Sequence, residues 1–468
     1  MSPENPDQEK SFMQGTGVMS MEVLRERVAS GAIDTVIVAF PDMQGRLVGK
    51  RITGRFFVDS VHEETHACDY LLTTDMEMEP VPGYEAASWS RGYGDLVLRP
   101  DLGTLRWVPW LEGTAVVLAD VTDESGELLP HAPRSILKRQ LARLAERGWA
   151  ASFASELEFY LFEETYAEAK QRGYRDLHPT GWYIEDYHIF QGTKEEGVIR
   201  AIRNGMEGAG IPLEGSKGEW GPGQQEINFR YAAGLEMADR HVLYKNGAKE
   251  IAHQHGRGLT FMAKWAAQLA GSSCHVHCSW QDVKTGKSVF FDPSAEDGMS
   301  GLLKSFLAGQ LALAAESTIF FAPYINSYKR YQSQSFAPTR LAWSWDNRTT
   351  GYRMVGHGQS LRVESRIPGA DCNPYLVYAA MIAAGLHGVD RGLELGEAFQ
   401  GNAYESKSVQ QVPRTLREAI RLLEGSEVLR EVLGEAVVGH YLHAAKYEQM
   451  DYDRVVTDYE LRRMFERG

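Results

Sequence analysis

Ser155-Glu156-Leu157-Glu158-Phe159 sets two glutamates at i and i+2 around a leucine. On a strand, alternate side chains share a face, so Glu156 and Glu158 project together while Leu157 points away. Three later runs repeat the pattern: Glu226-Ile227-Asn228-Phe229-Arg230, His275-Val276-His277 and Arg362-Val363-Glu364-Ser365-Arg366. A solvated face of an antiparallel sheet would explain any one of them. Four together, carrying Glu, His and Arg in place of Lys, Thr and Ser, predict a sheet with one chemically armed face and an apolar back made by Leu157, Ile227, Val276 and Val363. Glu156, Glu158, Glu219, Glu226 and Glu364 with the imidazole of His275 are a hard donor set that suits Mg²⁺ or Mn²⁺ better than zinc. Such a cluster of like charges is costly without cations.

The charge sign reverses further along. The 468 residues carry a formal charge of −14, yet Arg330, Arg340, Arg348, Arg353, Arg362 and Arg366 are opposed only by Asp346 and Glu364 across that span, which has no lysine. Arg used so consistently points to bidentate recognition of carboxylate or phosphate. Carboxylates for metals and arginines for phosphoryl oxygens together indicate nucleotide-dependent phosphoryl transfer. No Gly-x-x-x-x-Gly-Lys-Ser/Thr loop is present, so a P-loop enzyme is not expected.

Outward from these runs the chain divides. Residues 1–18 read as a disordered tail. Asp34–Phe40, the turn Asp42-Met-Gln-Gly45 and Arg46–Ile52 read as a hairpin, with further strands at Gly94–Arg99 and Thr114–Ala119. Pro133 can open a helix, and beyond a boundary near 128 strand-like and helix-like segments alternate, as in an α/β unit. The longest uncharged apolar run, Tyr375–Leu386, is too short for a bilayer and reads as a core helix. Met1–Lys10 shows no secretory pattern, and four cysteines are too few for a disulfide framework, so a reduced, cytoplasmic protein is expected. The acidic balance argues against nucleic acid as a partner.

In order, Glu156-Leu-Glu158, Glu219-Trp-Gly-Pro-Gly-Gln-Gln-Glu226-Ile, His275-Val-His277-Cys-Ser279, Asn-Ser-Tyr-Lys-Arg at 326–330, Asn347-Arg348 with Arg353, Arg362-x-Glu364-x-Arg366 and Asn373-Pro-Tyr-Leu376 resemble the motifs of the glutamine synthetase family from about Ile33 onward. The resemblance implies an α+β fold: an N-terminal β-grasp domain over 19–127, then a large α/β catalytic domain over 128–468 with a curved antiparallel sheet. It implies two or more divalent metals per subunit, one on Glu158, Glu219 and Glu226, another on Glu156, His275 and Glu364. Arg330 and Arg366 would grip glutamate, with Gly271 supplying a backbone contact and His275 nearby. Arg348, Arg353 and Arg362 would face the phosphates of ATP, with Glu214, Tyr231, His277 and Ser279 near the nucleotide. A homo-oligomer, typically a dodecamer of two hexameric rings, would complete each site with a neighbour's β-grasp domain. The implied reaction joins the glutamate γ-carboxylate to an amine through γ-glutamyl phosphate, with Arg348 and Arg330 among the catalytic groups.

Three departures concern the amine. The flap glutamate of true glutamine synthetases falls on Phe336, which can neither accept a proton nor attract a cation as a carboxylate does. The family's Asp-Gly-Ser-Ser latch is missing; its nearest equivalent is Thr74-Asp75-Met76-Glu77, with Asp75 the candidate acid. Ala270 replaces the Asn before the glutamate-binding Gly271. The departures favour a γ-glutamyl-amine ligase acting on ethanolamine, a polyamine or another primary amine, with Glu77 and Glu79 available to a polyamine. A true glutamine synthetase and a non-catalytic scaffold are the competing readings.

Overall fold

Asp42 shapes the first hairpin: its carboxylate accepts the backbone N–H of Gln44 and Arg46 at 3.0 and 2.8 Å, and Gly45 turns through φ +77. The computed structural model describes residues 17–468 apart from 85, 86, 89 and 91. The expected tail thus lies outside the described residues except for Gly17 and Val18, and Val18 bridges Arg106. Strand β1 (Thr35–Pro41) pairs antiparallel with β2 (Leu47–Thr53). With β3 (Thr65–Cys68), β4 (Asp95–Pro100), β5 (Arg106–Trp107) and β6 (Thr114–Thr122) they form a six-stranded sheet in the order β2-β1-β6-β4-β3, with β5 beside β6. The β1–β6 pair is parallel, which gives the mixed, grasp-like sheet anticipated for this half.

Alternation along β1 and β6 splits their side chains between two cores. Val36, Val38, Phe40, Ala115 and Val117 pack with Leu24 and Val28 of the helix Met21–Ser30. Ala39, Val116 and Leu118, on the opposite face, join the large core of the remaining chain. β1 and β6 are therefore covered on both sides, which explains their nearly continuous apolar runs.

The helix Pro133–Ala145 starts on Pro133, whose missing N–H costs nothing at that position. The second sheet follows: β7 (Trp149–Phe162), β8 (Leu213–Gly218), β9 (Gln224–Phe229), β10 (Ala232–Ala233), β11 (Gly258–Thr260), β12 (Cys274–Asp282), β13 (Trp343–Trp345), β14 (Tyr352–Val355) and β15 (Arg362–Ser365). Its order is β13-β14-β15-β12-β7-β9-β8, with β10 and β11 also on β7, and only β13–β14 is parallel. Leu157, Ile227, Val276 and Val363 are wholly buried on its back. They share a core with the helices Gly234–Gln254, Gly301–Phe321 and Pro374–Asp390. The last contains Tyr375–Leu386 and is apolar on nearly all sides, as a helix enclosed by its neighbours should be. Among the described residues no helix is long and apolar enough to cross a membrane.

Candidate active site

Register brings the four armed runs together. Glu156 of β7 lies opposite Asn228 of β9 on one side and His275 of β12 on the other. Glu158 faces Glu226 across β7–β9, His277 faces Glu364 across β12–β15, and Arg353 of β14 faces Glu364 from beyond. A 14-residue strand at the centre of the sheet is long enough to hold both glutamates between two partners.

Two triads result. Ligand atoms of Glu156, His275 and Glu364 lie within 4.8 Å of one another, and so do those of Glu158, Glu226 and His275. The second differs from the expected Glu158, Glu219 and Glu226: His275 stands in it, while the Glu219 carboxylate is bonded by Lys217. Lys217 Nζ also lies 3.9 Å from Glu226. Glu158 is fixed by Ser273, whose N–H and hydroxyl donate at 2.8 and 2.6 Å, and by Gln224 Nε2 at 3.2 Å.

The electrostatics fit a divalent cation. Burial, followed by the charge of Glu219, pushes the carboxyl groups of both Glu158 and Glu226 above the usual carboxylate range. The other triad is already neutralised by the protein. Burial opposes ionisation of Glu156, but hydrogen bonds from His275 and His277 outweigh it and hold that carboxyl below its ordinary value. Burial likewise opposes ionisation of Glu364, yet Arg366 brings it down to about 2. Burial, with Arg366, lowers His275 to about 4, leaving a neutral imidazole, the form that binds metals.

The arginines divide by partner. Arg366 Nη1 donates to Glu364 at 2.5 Å, and Arg353 Nη1 donates to its other oxygen at 2.9 Å while Arg353 Nε reaches Asp346 at 2.9 Å. Arg330 is buried against the carbonyls of Ile367 and Pro368. The Nε atoms of Arg330 and Arg366 are buried without a hydrogen-bond partner, donors that a carboxylate would satisfy. Arg362 Nε donates to His277 Nδ1 at 3.2 Å, so His277 carries its proton on Nε2 and donates to Glu156 at 2.9 Å. Arg348 is exposed at the cavity wall.

Two adjoining hollows sort the remaining residues. One, of about 700 Å³, is lined by Glu156, Glu158, Glu219, Glu226, His275, Gly271, Arg330, Phe336, Arg348, Arg353 and Arg366. The other, of about 570 Å³, is lined by Glu214, Tyr231, His277, Ser279 and Arg362. Glu156, Glu214 and Asn228 line both, so they connect. Gly271 is required where it stands, since a Cβ would lie 2.5 Å from Arg330 Cγ and 2.7 Å from the Ala263 carbonyl. Ala270 also lines the first hollow, with its carbonyl bonded by Tyr160. Asp75 lines neither: its Oδ1 accepts the N–H groups of Glu77 and Glu79, closing a turn elsewhere.

Joined hollows with hard-metal donors in one and arginines between them are what the sequence motifs required. The family model described as glutamine synthetase, catalytic domain, matches residues 130–464. The chain belongs to the glutamine synthetase family. Among curated relatives, gamma-glutamylethanolamide synthetase GlnA4 of Streptomyces coelicolor is 50% identical over 97% of each chain. Glutamate–isopropylamine ligase of a Pseudomonas species is 36% identical over 94% of this chain and 96% of its own. A solved GmaS/ADP complex superposes with a TM-score of 0.83 at 28% identity, covering 96% of this chain and 99% of that one.

Within this glutamine synthetase-family site, some residues escaped the motif reading. Lys217 stands at i−2 from Glu219, and Gln224 at i−2 from Glu226, so strand alternation carried a signal for both. Ser273 and Trp220 carried none, because their roles depend on which loop meets which strand. Cys274 and Cys278 are buried, free thiols.

Proposed function

We propose that this chain is an ATP-dependent glutamate–amine ligase that forms a γ-glutamylamide, ADP and phosphate, with a primary amine in place of ammonium. The observation that carries it is Phe336, which lines the acidic hollow at the flap position where an ammonium-using relative would need a carboxylate. Relatives named for ethanolamide and isopropylamide formation support the same reading.

Arg330 and Arg366 would grip the glutamate carboxylate, beside Gly271 and His275. Glu214, Tyr231, His277 and Ser279 would border the nucleotide, and Arg348, Arg353 and Arg362 would face its phosphates. Arg348 and Arg330 stabilise charge as the γ-carboxylate attacks the γ-phosphorus and γ-glutamyl phosphate forms. The amine then displaces phosphate. Mg²⁺ or Mn²⁺ on Glu158, Glu226 and His275, with Glu219 alongside, and on Glu156, His275 and Glu364 would supply Lewis-acid neutralisation of the transferring group.

Residues 19–127 and 128–468 act as two units in this reading, and Asp75, remote from the hollow of its own chain, serves that of a neighbour in a homo-oligomer, a dodecamer by family precedent. An ADP-release assay with glutamate and an amine panel, with the product weighed by mass spectrometry, tests the reaction. A γ-glutamylamide as main product is expected; ammonium outperforming every primary amine would overturn the reading.

A further inference from the structure

Three large aromatic side chains from three separate segments meet at the rim of the acidic hollow: Tyr187, Trp220 and Phe336. They are 67%, 47% and 52% exposed. Clustered exposed rings beside a cavity mark a recognition surface. The Trp220 and Phe336 rings are 5.6 Å apart and tilted at 59°. Tyr187 and Phe336 hold left-handed backbone, φ +56 and +59, which costs a bulky residue on the order of 1–2 kcal/mol. Both are tied there, Tyr187 N–H to the Gly218 carbonyl at 3.4 Å and the Phe336 carbonyl to Arg366 Nη2 at 3.4 Å. The rings are thus held at the mouth against local preference.

We propose that Trp220 and Phe336, flanked by Tyr187, clamp the carbon stem of the incoming amine, and that the substrate class is short primary monoamines with an uncharged substituent. The inference rests on the ligase reading above. Aromatic faces attract the positive N–CH₂ end of an alkylammonium and cover its carbons; bare ammonium offers no such stem.

Two cations stand beside the rings and would oppose a second cationic end there. Lys217 Nζ lies 4.7 Å from the Tyr187 ring centre, and Arg348 lines the same hollow. The nearby acids Asp186 and Glu219 are both engaged by Lys217.

The test compares wild type, Trp220→Ala and Trp220→Phe with propylamine, butylamine, 1,3-diaminopropane and putrescine, following ADP release and product mass. Wild type should favour each monoamine over the diamine of like length. Trp220→Ala should raise monoamine KM by roughly ten-fold or more, a loss of the size expected for an apolar contact in a pocket, while KM for ATP and glutamate holds. Trp220→Phe should recover most of the loss, and melting temperatures taken alongside show whether each variant is folded. Better use of a diamine by wild type, an unmoved monoamine KM in Trp220→Ala, or an equal rise in the glutamate or ATP KM would overturn the clamp. Wild type that makes glutamine but no γ-glutamylalkylamide would instead sink the ligase reading beneath it.

Discussion

Glu158 and Glu226 are buried, face each other across two strands, and have the charge of Glu219 beside them. Both are raised above the ordinary carboxylate range, so the metal-free folded protein binds more protons than the unfolded chain. Their contribution to its stability is then greatest at acid pH and is lost as pH rises past the ordinary range toward the elevated folded values. Metal must displace those protons, so its stabilising effect grows in the same direction. Thermal shifts on adding Mn²⁺ to chelator-treated protein should be larger at about pH 8.5 than at about pH 5.5; an equal shift would contradict this account. Glu158→Ala should abolish ATP turnover and shrink the thermal shift. Gly271→Ala would drive a methyl into the stem of Arg330, and overpacking of that kind costs about 1–3 kcal/mol. A glutamate KM that rises with little change in the ATP KM is the expected signature.

Among the elements, the strands of the armed sheet were legible because period-two alternation is written in each run. Which strand pairs with which was not, since register is decided between segments distant in the chain. That is why His275 enters both triads. Helix ends were easier, as at Pro133 and at Asn373, whose side chain accepts the Tyr375 N–H. The helix that Pro133 opens also ties the first sheet to the helix Gly234–Gln254. Arg134 reaches Asp101 and Asp120 of the first unit at 2.7 and 2.5 Å and Asp239 of the helix Gly234–Gln254 at 3.0 Å. Arg134→Met would leave Asp239 buried without its cation, at a cost of about 3–5 kcal/mol. Chemical denaturation should show that loss, and a change within about 0.5 kcal/mol would rule the tie unimportant.

At the scale of the whole molecule, the N-terminal unit is also pinned to the helix Glu435–Tyr452. His440 Nε2 donates to the Leu72 carbonyl at 2.8 Å, and Tyr84 donates to the His440 carbonyl at 3.0 Å. His131 stacks on His440 with ring centres 4.3 Å apart. Burial lowers His440 to about 3, and burial with Arg139 lowers His131 to about 4. The unfolded chain binds more protons than the folded one below the ordinary histidine value, so stability is full above it and falls as pH drops toward about 4 and then 3. His440→Phe should flatten that acid slope; an unchanged slope would remove His440 from the account. If Asp75 serves a neighbour, mixing inactive Asp75→Ala and Glu158→Ala subunits should regenerate activity through hybrid sites, whereas a self-contained chain would regain none.

His275 belongs to both triads, so a single ring would serve both of the proposed cation positions. Loading of one position then sets the orientation of the ring that the other must use, and the two fillings are thermodynamically linked rather than independent. A calorimetric Mn²⁺ isotherm should therefore need an interaction constant to be fitted, and His275→Ala should weaken both fillings in a single step.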